Sequence, residues 1–389
     1  MNPFDKSYNS DSHSFIKSNP ENLQSLFGFS NLIPLWLADM DFKIAEEITE
    51  ELQHVINRGI YAYESRTEEI FKAICEWNLK RNKLKLDSNH FIQITGVLTG
   101  IALLIRKLSK EGDEILVQTP VYHHFYKIIK SSKRKIVSSS LINTNGYYQM
   151  DFIDLEQKLQ KGSIKIILLC NPHNPVGRVW QREELEKLIH LANTYKATII
   201  SDEIHSDIIY KNSVFNSIAS FNQEQHIVLL GSPAKTFGMQ SISNGYIYIP
   251  KYIVHKQIKH AVASLYLDHG NAFTTSATIA AYTKGAKWVD ALIEYLQKTV
   301  FWIEKFIENE MPKITLTKPE GTYQIWLDFR GLQLSDSELK NLIFNKAKIA
   351  LTPGSWFDKN QPQFMRMNIA SPLKQIQQAF LQLKKAMHE

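Results

Sequence analysis

Cysteine is almost missing: Cys75 and Cys170 are the only two in 389 residues. Neither belongs to a CxxC pair, and both sit in apolar surroundings. This excludes a disulfide framework and a thiolate metal site, and it points to a reducing compartment. Long apolar runs are also missing, since none approaches the ~20 residues of a membrane span. The opening residues, MNPFDKSYNSDSHSF, are too polar and acidic for a secretory signal. The expectation is a soluble, cytoplasmic protein. Charge of one sign is scarce as well. Lys and Arg number 45 against 39 Asp and Glu, a formal net charge of +6. The longest basic run is Lys133-Arg134-Lys135, with nothing extending it, so no nucleic-acid partner is expected. There is no internal repeat and no low-complexity tract.

What is present reads as an ordinary globular core, with 44% apolar and 22% charged residues. The length allows two domains. Short β-branched or Leu-rich runs occur at 91–94, 164–169, 197–201, 227–230 and 246–249. Between the second and third lies an amphipathic stretch, 182–195, with Leu185, Leu188, Ile189 and Ala192 on one face. Buried short strands separated by helices predict an α/β fold with a mostly parallel sheet. From residue 287 the pattern changes. A long helix over 288–308 precedes a strand over 322–329, another helix, a short strand around Arg366 and a final helix. The reading is a large α/β domain over 45–285 and a smaller α+β domain made of 1–44 and 286–389.

Four segments carry candidate chemistry, each at the end of a predicted strand. Thr95-Gly96-Val97-Leu98-Thr99-Gly100 leads into a helix marked by Ile101, Leu104, Ile105 and Leu108. A glycine turn at a helix N-terminus presents backbone N–H groups suited to phosphate. Alone, it reads as a plain turn before a core helix. Asn171-Pro172-His173-Asn174-Pro175-Val176-Gly177 follows the 164–169 run, and its two Asn-Pro steps make a rigid loop. Ser201-Asp202-Glu203-Ile204-His205 closes the next run. There Asp202 is either a functional acid or a helix N-cap. Gly231-Ser232-Pro233-Ala234-Lys235-Thr236-Phe237-Gly238 follows the 227–230 run. A lone lysine at such a place is usually solvated. Their order is more telling than any one of them, because in a parallel sheet the carboxyl ends of the strands form a single ligand-binding edge.

In this order the motifs resemble the fold-type I enzymes dependent on pyridoxal 5′-phosphate (PLP), with the class I/II aminotransferase pattern. The resemblance covers nearly the whole chain, including Tyr122 in Pro120-Val121-Tyr122 and Arg366 in Phe364-Met365-Arg366-Met367. Trp36-Leu37-Ala38-Asp39-Met40-Asp41-Phe42 resembles the signature of the MalY/PatB subgroup of cystathionine β-lyases and C–S lyases. Asp202-Glu203-Ile204-His205-Ser206-Asp207, Pro353-Gly354-Ser355-Trp356-Phe357 and the stretch 271–285 agree with it.

The resemblance implies roles. Lys235 forms the Schiff base and, once freed, removes the α-proton. Asp202 pairs with the pyridine nitrogen, and Asn174 donates to the ring's 3′ oxygen. His205 lies near that oxygen or packs behind it. Tyr122 stacks on the ring. Gly96, Val97, Leu98 and Ser232 contact the phosphate, and Tyr63 reaches it from the neighbouring subunit of a homodimer with shared active sites. Arg366 clamps the carboxylate of an amino-acid substrate, with Asn174 and Ala38 beside it. Tyr122 or Lys235 manages protons near Cβ. No metal is implied. One position departs from the aminotransferase pattern: Ser243 stands where many members have an arginine against the phosphate. The subgroup tends to lack that arginine too, which favours the lyase over the aminotransferase reaction but leaves the phosphate charge without its usual partner. Some members of the subgroup also bind a transcription regulator, so a regulatory binding protein with residual lyase activity is a third expectation.

Overall fold

The computed structural model describes residues 2–6, 14–221 and 227–388. Most of the polar opening stretch read as lacking a secretory signal lies outside these residues. Seven strands form the main sheet: β1 (Phe91–Ile94), β2 (Glu114–Thr119), β3 (Lys135–Ser140), β4 (Ile164–Cys170), β5 (Thr198–Asp202), β6 (Ile227–Gly231) and β7 (Gly245–Tyr248), in the order β1-β7-β6-β5-β4-β2-β3. The pairs β6–β5, β5–β4, β4–β2 and β2–β3 are parallel. Only β7 runs against its neighbours. The sheet is therefore mixed but mostly parallel. Its central strands are buried apart from Lys165 and Thr198, near their starts, as sheets covered on both faces require.

Helices cover the two faces. Helix Val97–Leu108 buries Ile101, Leu104 and Ile105 against one of them. It lies very close to the sheet at Gly100, where an added Cβ would come 2.6 Å from Leu230 Cδ2. Helix Arg182–Thr194 covers the opposite face with Leu185, Leu188 and Ala192, and it starts on a capping box between Gln181 and Glu184.

A second sheet of four strands, β8 (Thr315–Thr317), β9 (Gln324–Asp328), β10 (Thr352–Pro353) and β11 (Phe364–Asn368), has the order β8-β9-β11-β10. Helix Ala286–Glu310 precedes it and helix Leu373–His388 follows. An apolar cluster joins these elements to the N-terminal segment through Phe4, Leu35, Trp36, Leu296, Ile325 and Phe380. The strand expected over 322–329 is shorter than its β-branched sequence suggests. Thr322 adopts φ +67°, outside the extended region, and its Oγ1 and the Gln324 backbone bond each other across the turn, so pairing begins only at Gln324.

Candidate active site

The parallel register brings the carboxyl ends of β4, β5 and β6 together: Cys170 pairs with Asp202, and Asp202 with Leu230. The turn after β1 reaches the same edge because Ile94 pairs with Gly245 at the start of β7. Four loops widely separated in sequence thus meet at one cavity of about 280 Å3. Its lining includes Ala38, Gly96, Val97, Leu98, Tyr122, Asn174, Asp202, His205, Ser232 and Lys235, ten of the residues singled out above. Arg366 joins through Asn174, donating from Nη1 to Asn174 Oδ1 at 3.2 Å. Tyr63 stands apart, with its side chain 99% exposed and its ring 6.4 Å from His269. A larger groove, about 1300 Å3, runs past Glu68, Cys75, His90 and Tyr248. It contains none of the candidate residues named above, so size does not mark the site here.

Lys235 sits in the short helix Ala234–Phe237 directly after β6. Its Nζ donates to the Ala38 carbonyl. Ser232 Oγ accepts from Ala234 N at 3.2 Å and donates to Asn244 O at 2.8 Å, tying the start of that helix to the segment before β7. Asp202 Oδ1 accepts from Ile204 N at 3.2 Å. At the turn after β1, helix Val97–Leu108 begins on Gly96 with no side-chain cap, so its first N–H groups are free for an anion. Tyr122 packs its ring 5.0 Å from that of His124. Arg366 on β11 is buried. Its Nη2 donates to Trp36 O at 2.7 Å and Thr352 Oγ1 at 3.3 Å, and its guanidinium lies 4.9 Å from the Phe357 ring centroid.

Burial governs the electrostatics, since it penalises whichever form is charged. It lowers the Lys235 ammonium to about 8, against the opposing pull of Asp39 and Asp202. It raises Asp202 to about 6, opposed by the Ile204 N–H and Lys235. It drives His205 down to about 3, with Lys235 and Arg366 adding to the effect, so this imidazole is neutral. Its Nδ1 is buried without a hydrogen-bond partner. The Tyr122 hydroxyl is pushed up to about 12 and stays protonated. Arg366 is held below its usual range, at about 10, and remains a cation. Arg366 Nε is buried with no partner, and no carboxylate forms a salt bridge with this guanidinium among the described residues. A buried cation without an anion calls for an anionic ligand.

The sequence profile of aminotransferase class I and II matches residues 31–382. The chain belongs to the class I and II aminotransferase family. Among members of the family, cystathionine β-lyase PatB of Bacillus subtilis is 35% identical over 364 residues, covering 93% of this chain and 94% of PatB. The structure of cystalysin from Treponema denticola, which contains a pyridoxal 5′-phosphate cofactor, superposes with a TM-score of 0.93 at 29% identity, covering 100% of this chain and 99% of cystalysin. The PLP-bound C–S lyase of Staphylococcus hominis superposes with a TM-score of 0.91 at 27% identity, covering 99% and 98% of the two chains.

Sequence reasoning missed several residues that this family fold brings to the cavity. Cys170 and Gln240 line it, as do Thr95, Thr99 and Ile204, which lie in the candidate segments but had no role assigned. Ser243, noted above only for not being arginine, lines it as well. Tyr323 was also missed. It is fully buried, packs its ring 5.6 Å from His205 and donates to Ala38 O at 3.1 Å. No sequence signal marks it, because it meets the site across 285 residues of chain.

Proposed function

We propose that this chain is a PLP-dependent carbon–sulfur β-lyase that cleaves cystathionine or another cysteine S-conjugate to pyruvate, ammonia and a thiol. The observation that carries the reading is the meeting of Lys235, Asp202 and Asn174 at one cavity with Arg366, a buried cation lacking an anion. The kinship with PatB favours the lyase over amino transfer, as does the 36–42 segment, which supplies Ala38 to the cavity wall.

The residues present fit PLP. The uncapped start of helix Val97–Leu108 and the Ser232 hydroxyl suit a phosphate. Asp202 suits a cationic ring nitrogen, and Asn174 and His205 a ring oxygen. Tyr122 supplies an aromatic face, and Lys235 the amine for covalent attachment. When bound, PLP supplies an electron sink for the pair left behind as the α-proton departs. The protein's own groups do the rest. Arg366 holds the substrate carboxylate through its planar fork, helped by Asn174. The Lys235 amine, with its proton affinity depressed by burial, is neutral often enough near pH 8 to take the α-proton. The Tyr122 hydroxyl keeps its proton and orders the cavity wall by packing. The thiolate leaves from Cβ.

A homodimer belongs to the same reading. Ile56, Ile60, Tyr61, Tyr63, Leu265 and Tyr266 are all strongly exposed. Exposed apolar side chains that form a contiguous patch mark an interface, and the Tyr63 and Tyr266 rings both pack on His269. Residues 45–285 would then form the cofactor-bearing domain, and 1–44 with 286–389 the smaller one, a division supported by the apolar cluster linking Phe4, Trp36 and Phe380. The test is thiol release from cystathionine by the purified chain with PLP, followed with a thiol reagent. Stoichiometric thiol and ammonia are expected, and their absence across a panel of cysteine conjugates would refute the reading.

A further inference from the structure

The segment 36–41 is held by its carbonyls. Trp36 O accepts from Arg366 Nη2 and from Thr352 Oγ1, each at 2.7 Å. Leu37 O and Asp39 O both accept from Asn368 Nδ2 at 2.6 Å, and Asp39 O also takes Lys17 Nζ at 3.2 Å. Ala38 O takes two donors, Lys235 Nζ and the Tyr323 hydroxyl. The two cations central to the proposed function, Lys235 and Arg366, are therefore bound to neighbouring carbonyls of one strap.

Asp39 follows Ala38 directly, so its carboxylate stands one residue from the oxygen that holds the Lys235 amine. Its Oδ1 is buried and accepts no hydrogen bond, and Lys17 Nζ lies 3.9 Å away. Lys17 is bonded to Asp41 Oδ1 at 2.9 Å, and Asp41 Oδ2 accepts from Ser371 Oγ at 2.5 Å. Asp41 is thus engaged by its own partners, whereas Asp39, next in the chain to the carbonyl that holds Lys235, keeps an oxygen with no hydrogen bond.

We propose that Asp39 is a positioning residue for Lys235: together with the Ala38 carbonyl and the Tyr323 hydroxyl, its carboxylate forms the seat that receives the free lysine amine as an ammonium. The inference rests on the proposed function, in which the amine is released each time a substrate enters. A freed ammonium in a buried cavity needs a hydrogen-bond acceptor and a counter-charge. Ala38 O is the acceptor and Asp39 the counter-charge. Other groups facing the amine are Asp202 and His205 at the end of β5, Arg366 on β11, His124 after β2 and Tyr323 before β9. Asp202 is claimed by the cofactor in this reading. Arg366 repels the amine, while His205 is neutral and buried. Asp39 is left as the counter-charge throughout the cycle.

The test follows the lysine and not the turnover. The full-length chain is dialysed against hydroxylamine so that Lys235 carries a free amine. The rate of its acetylation by limiting acetic anhydride is then measured against pH by peptide mass spectrometry. Removing the Asp39 charge leaves the ammonium less favoured, so the midpoint for Asp39→Asn moves down by about one pH unit, within the range for a lost opposite charge. Asp39→Glu restores it. Asp39→Ser repeats the charge loss should the Asn variant fail to fold, with circular dichroism as the check. Tyr323→Phe keeps the charge and moves the midpoint less than Asp39→Asn does. An unchanged midpoint in folded Asp39→Asn or Asp39→Ser protein overturns the proposal, as does a larger shift in Tyr323→Phe. A chain that never retains PLP would sink the functional reading, but the amine midpoints would still decide the role of Asp39.

Discussion

At the scale of single residues, the site depends on charges kept out of water without their final partners. Arg366 has hydrogen bonds to Asn174, Trp36 and Thr352 but no anion, so it is ready for a carboxylate. Lysine in its place keeps the charge and loses the fork. Arg366→Lys is expected to cut kcat/KM by about 100-fold, mostly through KM, in steady-state kinetics. Asp202 gives a pH-dependent prediction. Its carboxyl is raised by burial from 3.8 to about 6, so ionisation opposes folding in cofactor-free protein. The sign follows. At pH below 3.8 the penalty is absent, it builds as pH rises toward 6, and it is complete above. A shift of this size is on the order of 3 kcal/mol. Cofactor-free Asp202→Asn is therefore expected to melt at a higher temperature than the parent above pH 6, with the gap closing near pH 4, while holding PLP poorly. Equal melting curves at both pH values would refute this.

These residues were legible in the sequence to different degrees. Lys235, Asp202 and Asn174 could be read because each lies at, or within four residues of, the end of an apolar run that reads as a buried strand. Tyr323, Gln240 and the Asp39 carboxylate could not. Tyr323 reaches the site by a bond to Ala38 O across 285 residues of chain, which no local pattern encodes, and neither Gln240 nor Asp39 stands at a strand end that would single it out.

At the scale of elements, the turn from β1 into helix Val97–Leu108 is tightly constrained. Gly245 opens β7 against it, and a Cβ there would stand 3.0 Å from both Gly96 C and Val97 N. Those are backbone atoms, so the turn itself would have to shift. Gly245→Ala is expected to raise the dissociation constant for PLP about ten-fold, equivalent to about 1.4 kcal/mol. Fluorescence titration of cofactor-free protein checks this, and an unchanged constant would remove the turn from the phosphate site. The sequence showed this turn as a glycine-rich link between strand and helix. It did not show that β7 runs antiparallel and brings its first residue up against the turn, because strand direction is set by tertiary connection and leaves no mark in a four-residue apolar run. The late start of the strand expected over 322–329 was hidden for a related reason: the φ of Thr322 goes with its own hydroxyl bond.

At the scale of the whole molecule, the chain keeps Tyr63 outside the cavity, almost fully exposed beside other large apolar side chains. In a dimer with shared sites, Tyr63 of one copy serves the cavity of the other. Mixing Lys235→Ala with Tyr63→Ala protein, each weak alone, is expected to recover about a quarter of parental activity. Half of randomly paired dimers are mixed, and each of those has one intact site of two. No recovery, in a mixture that sedimentation shows to exchange subunits, would mean that each copy builds its site alone.

The reaction itself turns on what happens after the α-proton has gone. Purified chain with PLP and L-cystathionine, and no keto acid added, is followed by coupled lactate dehydrogenase for pyruvate. Sustained pyruvate release, matched by thiol and ammonia, is the predicted result. No pyruvate without a keto acid, together with rapid conversion of added 2-oxoglutarate to glutamate, would contradict it and make the chain an aminotransferase.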